Sequence, residues 1–318
     1  MQKFIVEKKD SGQTAVKYLM RILKDAPSGL IYKQIRKKNI VLNGKKCTGS
    51  EKLNEGDELS VFMSDETIAK FKGSSSVDTS EYLKAFEKFK TPDIVYEDEH
   101  IIILNKPVGV LSQKSKPEDL SANEWLIGYL LNKEKSLAEK LNEFKPSVCN
   151  RLDRNTGGLL IFGKSLFGTS KMSQGLKDRS IHKYYKTVVN GKVTKDEKIT
   201  GFLSKDEATN KVSITKEETK DSSYIETYYK PLRYNSEKDV TELEIELITG
   251  KPHQIRAHLA SINHPIIGDS KYGVCDNSGL KHQLLYAYKV VFPNYDDYQE
   301  LSSKTITKSF DDIFNKFF

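Results

Sequence analysis

Three segments of the chain combine charged, aromatic and glycine residues in patterns that suit chemistry as well as packing. They are RLDRNTGG at 151–158, IHKYYKTVV at 181–189 and TGKPHQIRAHLASINHPIIGDSKYG at 249–273. The first places one carboxylate, Asp153, between two arginines. An ionised carboxylate acts as a nucleophile or a general base, and a guanidinium such as Arg256 in the third segment favours its charged form and fixes its direction. An isolated RLDR is more often a surface salt-bridge cluster than a catalytic site, so evidence for catalysis must come from the rest of the chain.

Three histidines in the third segment raise the alternative of a metal site. His253, His258 and His264 are spaced by five and then six residues, which is not the i, i+4 arrangement that puts two ligands on one helical face. We therefore predict no metal, and we expect His253 and His258 to bond loop backbone or phosphate instead. Asp269 is expected to be a turn residue that orders its loop. The chain also lacks a glycine-rich phosphate loop and a dinucleotide fingerprint, so we predict no cofactor.

Composition narrows the class of protein. The 318 residues suggest two domains, and 37% hydrophobic with 30% charged residues is a foldable balance. Three widely spaced cysteines without a CxxC pair provide neither a disulfide framework nor a four-ligand zinc site, which favours a reducing, cytoplasmic setting. The charged N-terminus lacks a signal-peptide core and no apolar run has the length of a bilayer span, so we expect a soluble protein.

The positive charge of the chain is concentrated near its start. Net charge is +7, and residues 1–63 hold 13 Lys and Arg against 7 Asp and Glu. Apolar spacing predicts a helix over 14–24 and a second, basic helix that starts at an N-cap on Ser28. A short strand, an Asn-Gly turn at 43–44 and a closing strand are expected to follow. A basic segment of this kind points to a polyanion partner, most plainly nucleic acid.

Residues 64–90 include a serine-rich polar stretch and are predicted to be an interdomain linker. From residue 91 the pattern is rich in strands, with amphipathic helices expected near 121–132 and 253–262, and the segment TELEIELITG alternates as a half-buried strand. Runs of strands with few βαβ units predict an α+β domain over 91–318, built on a largely antiparallel, mixed sheet with flanking helices. Asp153 is expected on a loop at the edge of this sheet. The C-terminal SFDDIFNKFF is either a docking helix or a frayed end.

These motifs resemble known families. The segment LIYKQIRKKNIVLNGK with the ending GDELSV resembles the small S4 α/β RNA-binding domain, over residues 1–63. RLDRNTGGLLIFGKS resembles the signature of RNA pseudouridine synthases of the RluA type, GKPHQIRAHLASINHPIIGDSKYG resembles their second motif, and ILNKPVGV resembles their lead-in strand. Together they resemble the ribosomal large-subunit subgroup called RluC across nearly the whole chain.

The resemblance implies roles for individual residues. Asp153 takes the position of the catalytic aspartate, Tyr185 that of the aromatic that packs against the target base, and Arg256 that of the basic partner of the aspartate. Arg151 matches an arginine implicated in filling the space left by the extruded base. Further RNA contacts are expected from residues beside the motifs and on the basic module: Arg154, Lys183, Lys33, Arg36, Lys37, Lys38 and Lys45.

Four positions depart from the family pattern. The pattern HRLDRDTSG has Asn150, Asn155 and Gly157 here in place of His, Asp and Ser, and the pattern LHA has Tyr286 in place of its His. None of these positions is the aspartate, the tyrosine or the arginine of the second motif, so the departures bear on peripheral contacts and RNA selectivity.

The resemblance implies an enzyme that isomerises uridine to pseudouridine in large-subunit ribosomal RNA, as a monomer with RNA as its partner and no membrane or cofactor. Three alternatives stay open: the same enzyme acting on transfer RNA, a non-catalytic S4-type RNA-binding or assembly factor, and a metal-dependent RNA hydrolase. The presence of both Asp153 and Arg256 argues against a degenerate enzyme. The absence of a carboxylate cluster argues against the hydrolase.

Overall fold

The computed structural model describes residues 1–72, 77–206, 211–273 and 279–318. Contacts between residues divide the chain into two compact units. The first unit comprises Met1–Thr79 and Lys133–Lys145, and the second comprises Ser80–Asn132 and Pro146–Phe318. Among the described residues, no helix combines the length and apolar character needed to cross a bilayer.

The strands and helices are numbered in chain order. The strands are β1 (Gln2–Ile5), β2 (Ile40–Leu42), β3 (Lys45–Lys46), β4 (Glu58–Val61), β5 (Ile94–Glu97), β6 (Ile101–Lys106), β7 (Ser147–Val148), β8 (Gly157–Gly163), β9 (His182–Asn190), β10 (Glu197–Asp206), β11 (Lys211–Thr215), β12 (Ser223–Asn235), β13 (Val240–Leu247), β14 (Leu285–Val291) and β15 (Thr305–Thr307). The helices are α1 (Ala15–Ile22), α2 (Ser28–Arg36), α3 (Asp65–Lys72), α4 (Ser80–Phe89), α5 (Ala122–Lys133), α6 (Leu137–Lys140), α7 (Leu166–Lys177), α8 (Gln254–Ser261) and α9 (Asp311–Phe314).

The first unit contains an antiparallel sheet of order β1-β4-β2-β3 with α1 and α2 packed on a shared apolar core. The two predicted helices and the turn are confirmed. Asn43 and Gly44 both have positive φ, +50° and +70°, which is the twist that suits a two-residue hairpin. The predicted N-cap at Ser28 is wrong by one residue, because Pro27 (φ −55°) takes the position ahead of the helix and Ser28 is already helical. Strand β1 was not predicted.

The span 64–90, predicted as a linker, is not extended throughout. It contains α3 and α4, and each buries apolar residues at helical spacing: Ile68 in α3, Tyr82 and Ala85 in α4. The serine-rich residues 73–76 lie outside the described part of the chain. The boundary between the units falls within this span, between Thr79 and Ser80, and residues 133–145 group with the first unit instead of the predicted catalytic domain.

The second unit is built on a sheet of order β11-β10-β12-β13-β9-β14-β8-β6-β5, with β15 paired to β14 and β7 to β8. Its pairs are antiparallel except β14 with β8. The predicted α+β class and largely antiparallel mixed sheet are confirmed. Helix α5 is buried along nearly its whole circumference, so it is an interior helix and not the amphipathic helix that was predicted.

Four neighbouring strands bring the predicted site residues to the same level of the sheet. Gly158 of β8 pairs with Ala287 of β14. Ala287 in turn pairs with Tyr185 of β9, and Tyr185 pairs with Ile245 of β13. The loop that carries Asp153 leads into β8, an interior strand, so its predicted place at an edge of the sheet is wrong. Shortly after β13 ends, the chain enters α8, which carries Arg256.

Candidate active site

Asp153 lies on a loop whose backbone is fixed on both sides of it. The hydroxyl of Ser112 donates to the carbonyl of Leu152 (2.8 Å) and accepts from its N–H (2.9 Å). On the other side, the N–H of Thr156 donates to the carbonyl of Asp153 (3.0 Å). The side chain of Asp153 keeps 27% of its surface exposed, so the carboxylate is held in place yet open to a ligand.

Arg256 bonds two carboxylates at once. Its Nη1 donates to Oδ2 of Asp153 (3.1 Å), while Nε and Nη2 donate to Oδ2 and Oδ1 of Asp269 (2.7 and 2.8 Å). The planar fork of a guanidinium suits this bidentate contact, and an ammonium has no equivalent geometry. Asp153 lines the cleft, and its Oδ1 accepts no hydrogen bond from the described residues, so one carboxylate oxygen is clamped by Arg256 and the other is not.

Burial makes the pairing of Arg256 with Asp269 strong. Desolvation alone would lower the pKa of Arg256, but the hydrogen bonds and charge of Asp269, with a contribution from Asp153, raise it above its ordinary value. Desolvation would raise the pKa of the Asp269 carboxyl, and the Arg256 guanidinium together with two backbone N–H groups lowers it. Both members of the pair are therefore held in their charged forms.

Asp269 has two functions, and sequence reasoning found only one. Its Oδ1 accepts from the N–H groups of Lys271 and Tyr272 (3.0 and 3.2 Å), which orders the turn as expected. Its bidentate contact with Arg256 was missed. The signal available was its position thirteen residues after Arg256 within one motif, but that spacing alone does not show that the two side chains meet.

Tyr185 forms one wall of the cleft. It is 4% exposed and lines, with Asp153 and Arg256, a cavity of about 50 Å³. Burial first, and then the charge of Asp153, raises the pKa of the phenol well above its usual range, so the ring is neutral. The structure thus brings the three predicted catalytic residues together. The other residues around the cavity are Arg151, Leu152, Thr156, Leu247, Lys251, His253, Gln254, Ile255 and Leu285.

The three histidines each have a separate partner. Nδ1 of His253 bonds the hydroxyl of Tyr272 (2.8 Å), Nδ1 of His258 bonds the hydroxyl of Thr227 (2.9 Å) and Nδ1 of His264 bonds the carbonyl of Asn190 (2.9 Å). The loop-backbone contacts predicted for His253 and His258 are therefore not found at Nδ1, because both nitrogens meet side-chain hydroxyls, and their predicted contact with phosphate stays a prediction. Within the described ranges, no group of His, Cys, Asp or Glu is arranged to hold a metal ion.

Comparison with known proteins identifies the family. Residues 100–261 match the family model described as RNA pseudouridylate synthase. The chain belongs to this family. An uncharacterized RNA pseudouridine synthase of Mycoplasma capricolum subsp. capricolum is 30% identical, over 97% of this chain and 98% of its own length. Ribosomal large subunit pseudouridine synthase C of Rickettsia bellii is 31% identical, over 86% of this chain and 88% of its own.

A solved structure agrees in fold. Human RNA pseudouridylate synthase domain containing 4 superposes with a TM-score of 0.52 over 72% of this chain and 92% of its own, at 17% identity, a level that shows the fold alone. The resemblance to RluA-type, RluC-like synthases is confirmed, and the chain is an isomerase of the RNA pseudouridine synthase family. The S4 resemblance of the first unit stays a prediction.

Lys106 is a buried cation of the synthase that sequence reasoning missed. Its side chain is fully buried at the end of β6, and Nζ donates to the carbonyls of Pro107, Val110 and Arg154 (3.0, 2.8 and 3.2 Å). It thereby joins the turn after β6 to the loop of Asp153. Burial lowers the pKa of Lys106 to about 7, and the charge of Asp153 opposes that shift. The signal available in the sequence was a lysine at the end of a largely apolar strand, in the segment ILNKPVGV.

The predicted RNA-binding residues of the second unit differ in placement. Arg151 is exposed and lines the cavity. Lys183 lies two residues before Tyr185 on β9, where burial first and then the charge of Arg179 lower its pKa. Arg154 is exposed, and its Nε donates to the carbonyl of Gly109 (3.1 Å), so it braces the turn after β6.

Asp269→Asn tests the shared guanidinium. Removing one charge from a buried pair leaves Arg256 without its main partner and should destabilise the fold by about 3–5 kcal/mol. Because Arg256 then no longer fixes Asp153, we expect kcat to fall on the order of 100-fold, with little change in KM for RNA. Urea unfolding and single-turnover kinetics measure the two effects. Asp221→Asn, in an exposed turn, is the control, and an unaltered kcat in Asp269→Asn would refute the positioning role.

Lys106→Met tests the buried lysine through pH. The pKa of Lys106 is about 7 in the folded protein against 10.5 ordinarily, so between these values the unfolded chain binds more protons. The contribution of Lys106 to stability therefore rises with pH over that window, by up to about 1.4 kcal/mol per pH unit. The free energy of unfolding of the wild type minus that of Lys106→Met should increase accordingly in urea titrations. A flat difference would mean that the ammonium stays protonated among its carbonyl partners. Lys70→Met, at an exposed position, controls for the lost charge.

Proposed function

We propose that this synthase isomerises uridines in large-subunit ribosomal RNA, with Asp153 as its catalytic carboxylate. The observation that carries the assignment is the guanidinium of Arg256, which clamps Oδ2 of Asp153 in a cleft lined by Tyr185, while Oδ1 accepts no hydrogen bond from the part of the chain that the structure describes. The ribosomal substrate is supported by the Rickettsia relative, whose name specifies the large subunit.

The reaction is an internal rearrangement. The bond between ribose C1′ and uracil N1 breaks, the base turns, a bond forms between C1′ and C5, and the proton lost from C5 is balanced by one gained at N1. Nothing is oxidised and no group comes from a donor, so the atom balance calls for no cofactor. Asp153 acts either as a nucleophile on the sugar or as a base that takes a ribose proton. Both routes use the carboxylate oxygen that accepts no hydrogen bond from the described residues.

The target uridine must leave its stack before Asp153 can reach the sugar. Unstacking costs a few kcal/mol, and stacking on an aromatic ring returns roughly 1–3 kcal/mol per base. Tyr185 supplies that ring, neutral and fixed on a central strand, next to the carboxylate. In this proposal Arg151, exposed at the cavity wall, fills the space that the base leaves, and the exposed Arg154 offers positive charge to the adjoining phosphates. Lys183 is partly buried and its pKa is lowered, so a nearby phosphate is needed to favour its charged form.

The first unit provides a basic RNA-binding surface. Five cations on α2, just after it and at the hairpin are exposed and make no hydrogen bond or ion pair with any described residue: Lys33, Arg36, Lys37, Lys38 and Lys45. Unpaired cations along a helix can follow a phosphate backbone without reading sequence. We propose an S4-like role for this unit, in a monomeric enzyme of the cytoplasm.

Asp153→Asn tests the catalytic assignment. The change keeps the size and removes the charge, so pseudouridine formation should fall by roughly 100- to 10,000-fold. RNA affinity should stay unchanged because binding relies on the cations. A tritium-release assay on ribosomal RNA and filter binding measure both. Asp296→Asn, at an exposed carboxylate, is the matched control. Near-normal turnover in Asp153→Asn would contradict the assignment, and pseudouridine mapping in cells lacking the protein would identify ribosomal or transfer RNA as the substrate.

Replacing Lys33, Arg36 and Lys37 together with Gln tests the basic surface. The slope of log binding constant against log salt concentration should become shallower by roughly 0.7–0.9 for every phosphate that the variant no longer neutralises. We expect a higher KM with kcat at saturating RNA unchanged, because the chemistry lies in the other unit. The matched control replaces Lys8, Lys52 and Lys70, exposed in the same unit, with the same change of charge. Equal effects in both triple variants would show that net charge matters and the α2 surface does not.

A further inference from the structure

Gly157 and Tyr286 face each other where β8 and β14 begin their parallel pairing. A Cβ built on Gly157 would lie 2.5 and 2.7 Å from Cε1 and Cδ1 of the Tyr286 ring, and 3.4 Å from Cγ2 of Val108. The φ of Gly157 is not in the left-handed region, so its φ does not require glycine. The tyrosine ring, and not the backbone, therefore requires glycine at this position.

Tyr286 cannot easily move aside because aromatic residues of the C-terminal segment pack against it. The ring centroid of Phe310 lies 4.6 Å from that of Tyr286, and Phe314 makes an edge contact at 6.0 Å. Both phenylalanines are buried in one apolar cluster with Val188 and Ile267. Close-packed interiors transmit displacement because their side chains have little free space.

The start of β8 is only four residues from Asp153. The N–H of Thr156 bonds the carbonyl of Asp153, and Thr156 itself lines the cavity. A shift of Gly157 therefore moves the turn that fixes the carboxylate. A misplacement of about 1 Å at a reacting group lowers turnover on the order of 100-fold.

We propose that Tyr286, backed by Phe310 and Phe314, is a positioning residue for Asp153 that acts by holding the start of β8, and that this role requires glycine at 157. The proposal rests on the proposed catalytic role of Asp153. It also gives one steric reason for two of the four departures from the family pattern, glycine in place of Ser at 157 and tyrosine in place of His at 286. An imidazole at 286 is smaller than the phenol of Tyr286, so it should leave more room for a Cβ at 157.

The experiment compares Gly157→Ala, Tyr286→His and the double variant. Gly157→Ala should lower kcat on the order of 100-fold with KM for RNA nearly unchanged, because the added carbon displaces the loop and not the RNA surface. Tyr286→His alone should lose much less. The double variant should regain at least about tenfold in kcat over Gly157→Ala, a recovery of about 1.4 kcal/mol in the activation barrier. Thermal melts of every variant show whether it folds. If Gly157→Ala fails to fold while the double variant folds and is active, that result also supports the proposal.

Gly158→Ala is the matched control. Its added carbon would lie 2.1 Å from the carbonyl oxygen of Ala287, and its φ is +106°, so backbone geometry excludes a side chain whatever residue is at 286. Tyr286→His should therefore not rescue Gly158→Ala. Phe310→Leu, which opens space behind the Tyr286 ring, should rescue Gly157→Ala in part and Gly158→Ala not at all.

Two outcomes overturn the proposal: a Gly157→Ala enzyme with wild-type kcat, or a double variant no better than Gly157→Ala. Either result is distinct from a failure of the proposed function, which would appear as an active Asp153→Asn enzyme whatever residues occupy 157 and 286.

Discussion

The active site depends on one guanidinium shared between two carboxylates. Arg256 donates two hydrogen bonds to Asp269 and one to Asp153. Asp269, in the turn after α8, therefore orients the Arg256 side chain toward the Asp153 loop that precedes β8. Burying three charges is costly unless they compensate one another. The two aspartates carry one more negative charge than Arg256 cancels. Lys106, which bonds the Arg154 carbonyl in the Asp153 loop, supplies the balancing positive charge when it is protonated. Three segments distant in sequence, those of Lys106, Asp153 and the pair Arg256–Asp269, are thus required to meet at one place.

The fold provides that meeting place through strand register. Gly158, Ala287 and Tyr185 are consecutive partners across β8, β14 and β9, so the loop of Asp153 and the ring of Tyr185 are fixed by the same rows of backbone hydrogen bonds. A slip of one residue in any of these strands would turn Tyr185 to the opposite face. Lys106 adds a second constraint, because its three carbonyl partners belong to the two loops that flank the site.

Sequence reasoning succeeded where the determinants are local or carried by the family motifs, and missed those that depend on long-range contact. Periodicity predicted α1 and the strand β13, and turn chemistry predicted the Asn43–Gly44 hairpin. The resemblance paired Asp153 with Arg256 across 103 positions, and the structure joins them. The clamp at Asp269 was missed because a turn aspartate has a sufficient local explanation. Lys106 was missed because burial of a charged residue is visible only when the carbonyls that solvate it are in place. The span 64–90 was taken as a linker because its serines outweighed the helical spacing around Ile68 and Tyr82.

The C-terminal segment, which the sequence left as either a docking helix or a frayed end, is docked on the second unit. Phe310 and Phe314 are buried, the guanidinium of Arg233 lies 4.2 Å from the ring of Phe318, and Asn235 donates to the carbonyl of Phe317. These contacts place the end of the chain against Tyr286, one residue from Leu285 in the cavity wall. Since the glycine at 157 is dictated by a side chain and the glycine at 158 by the backbone, the two neighbours obey different constraints. Only the first of these constraints can change together with the residue at 286.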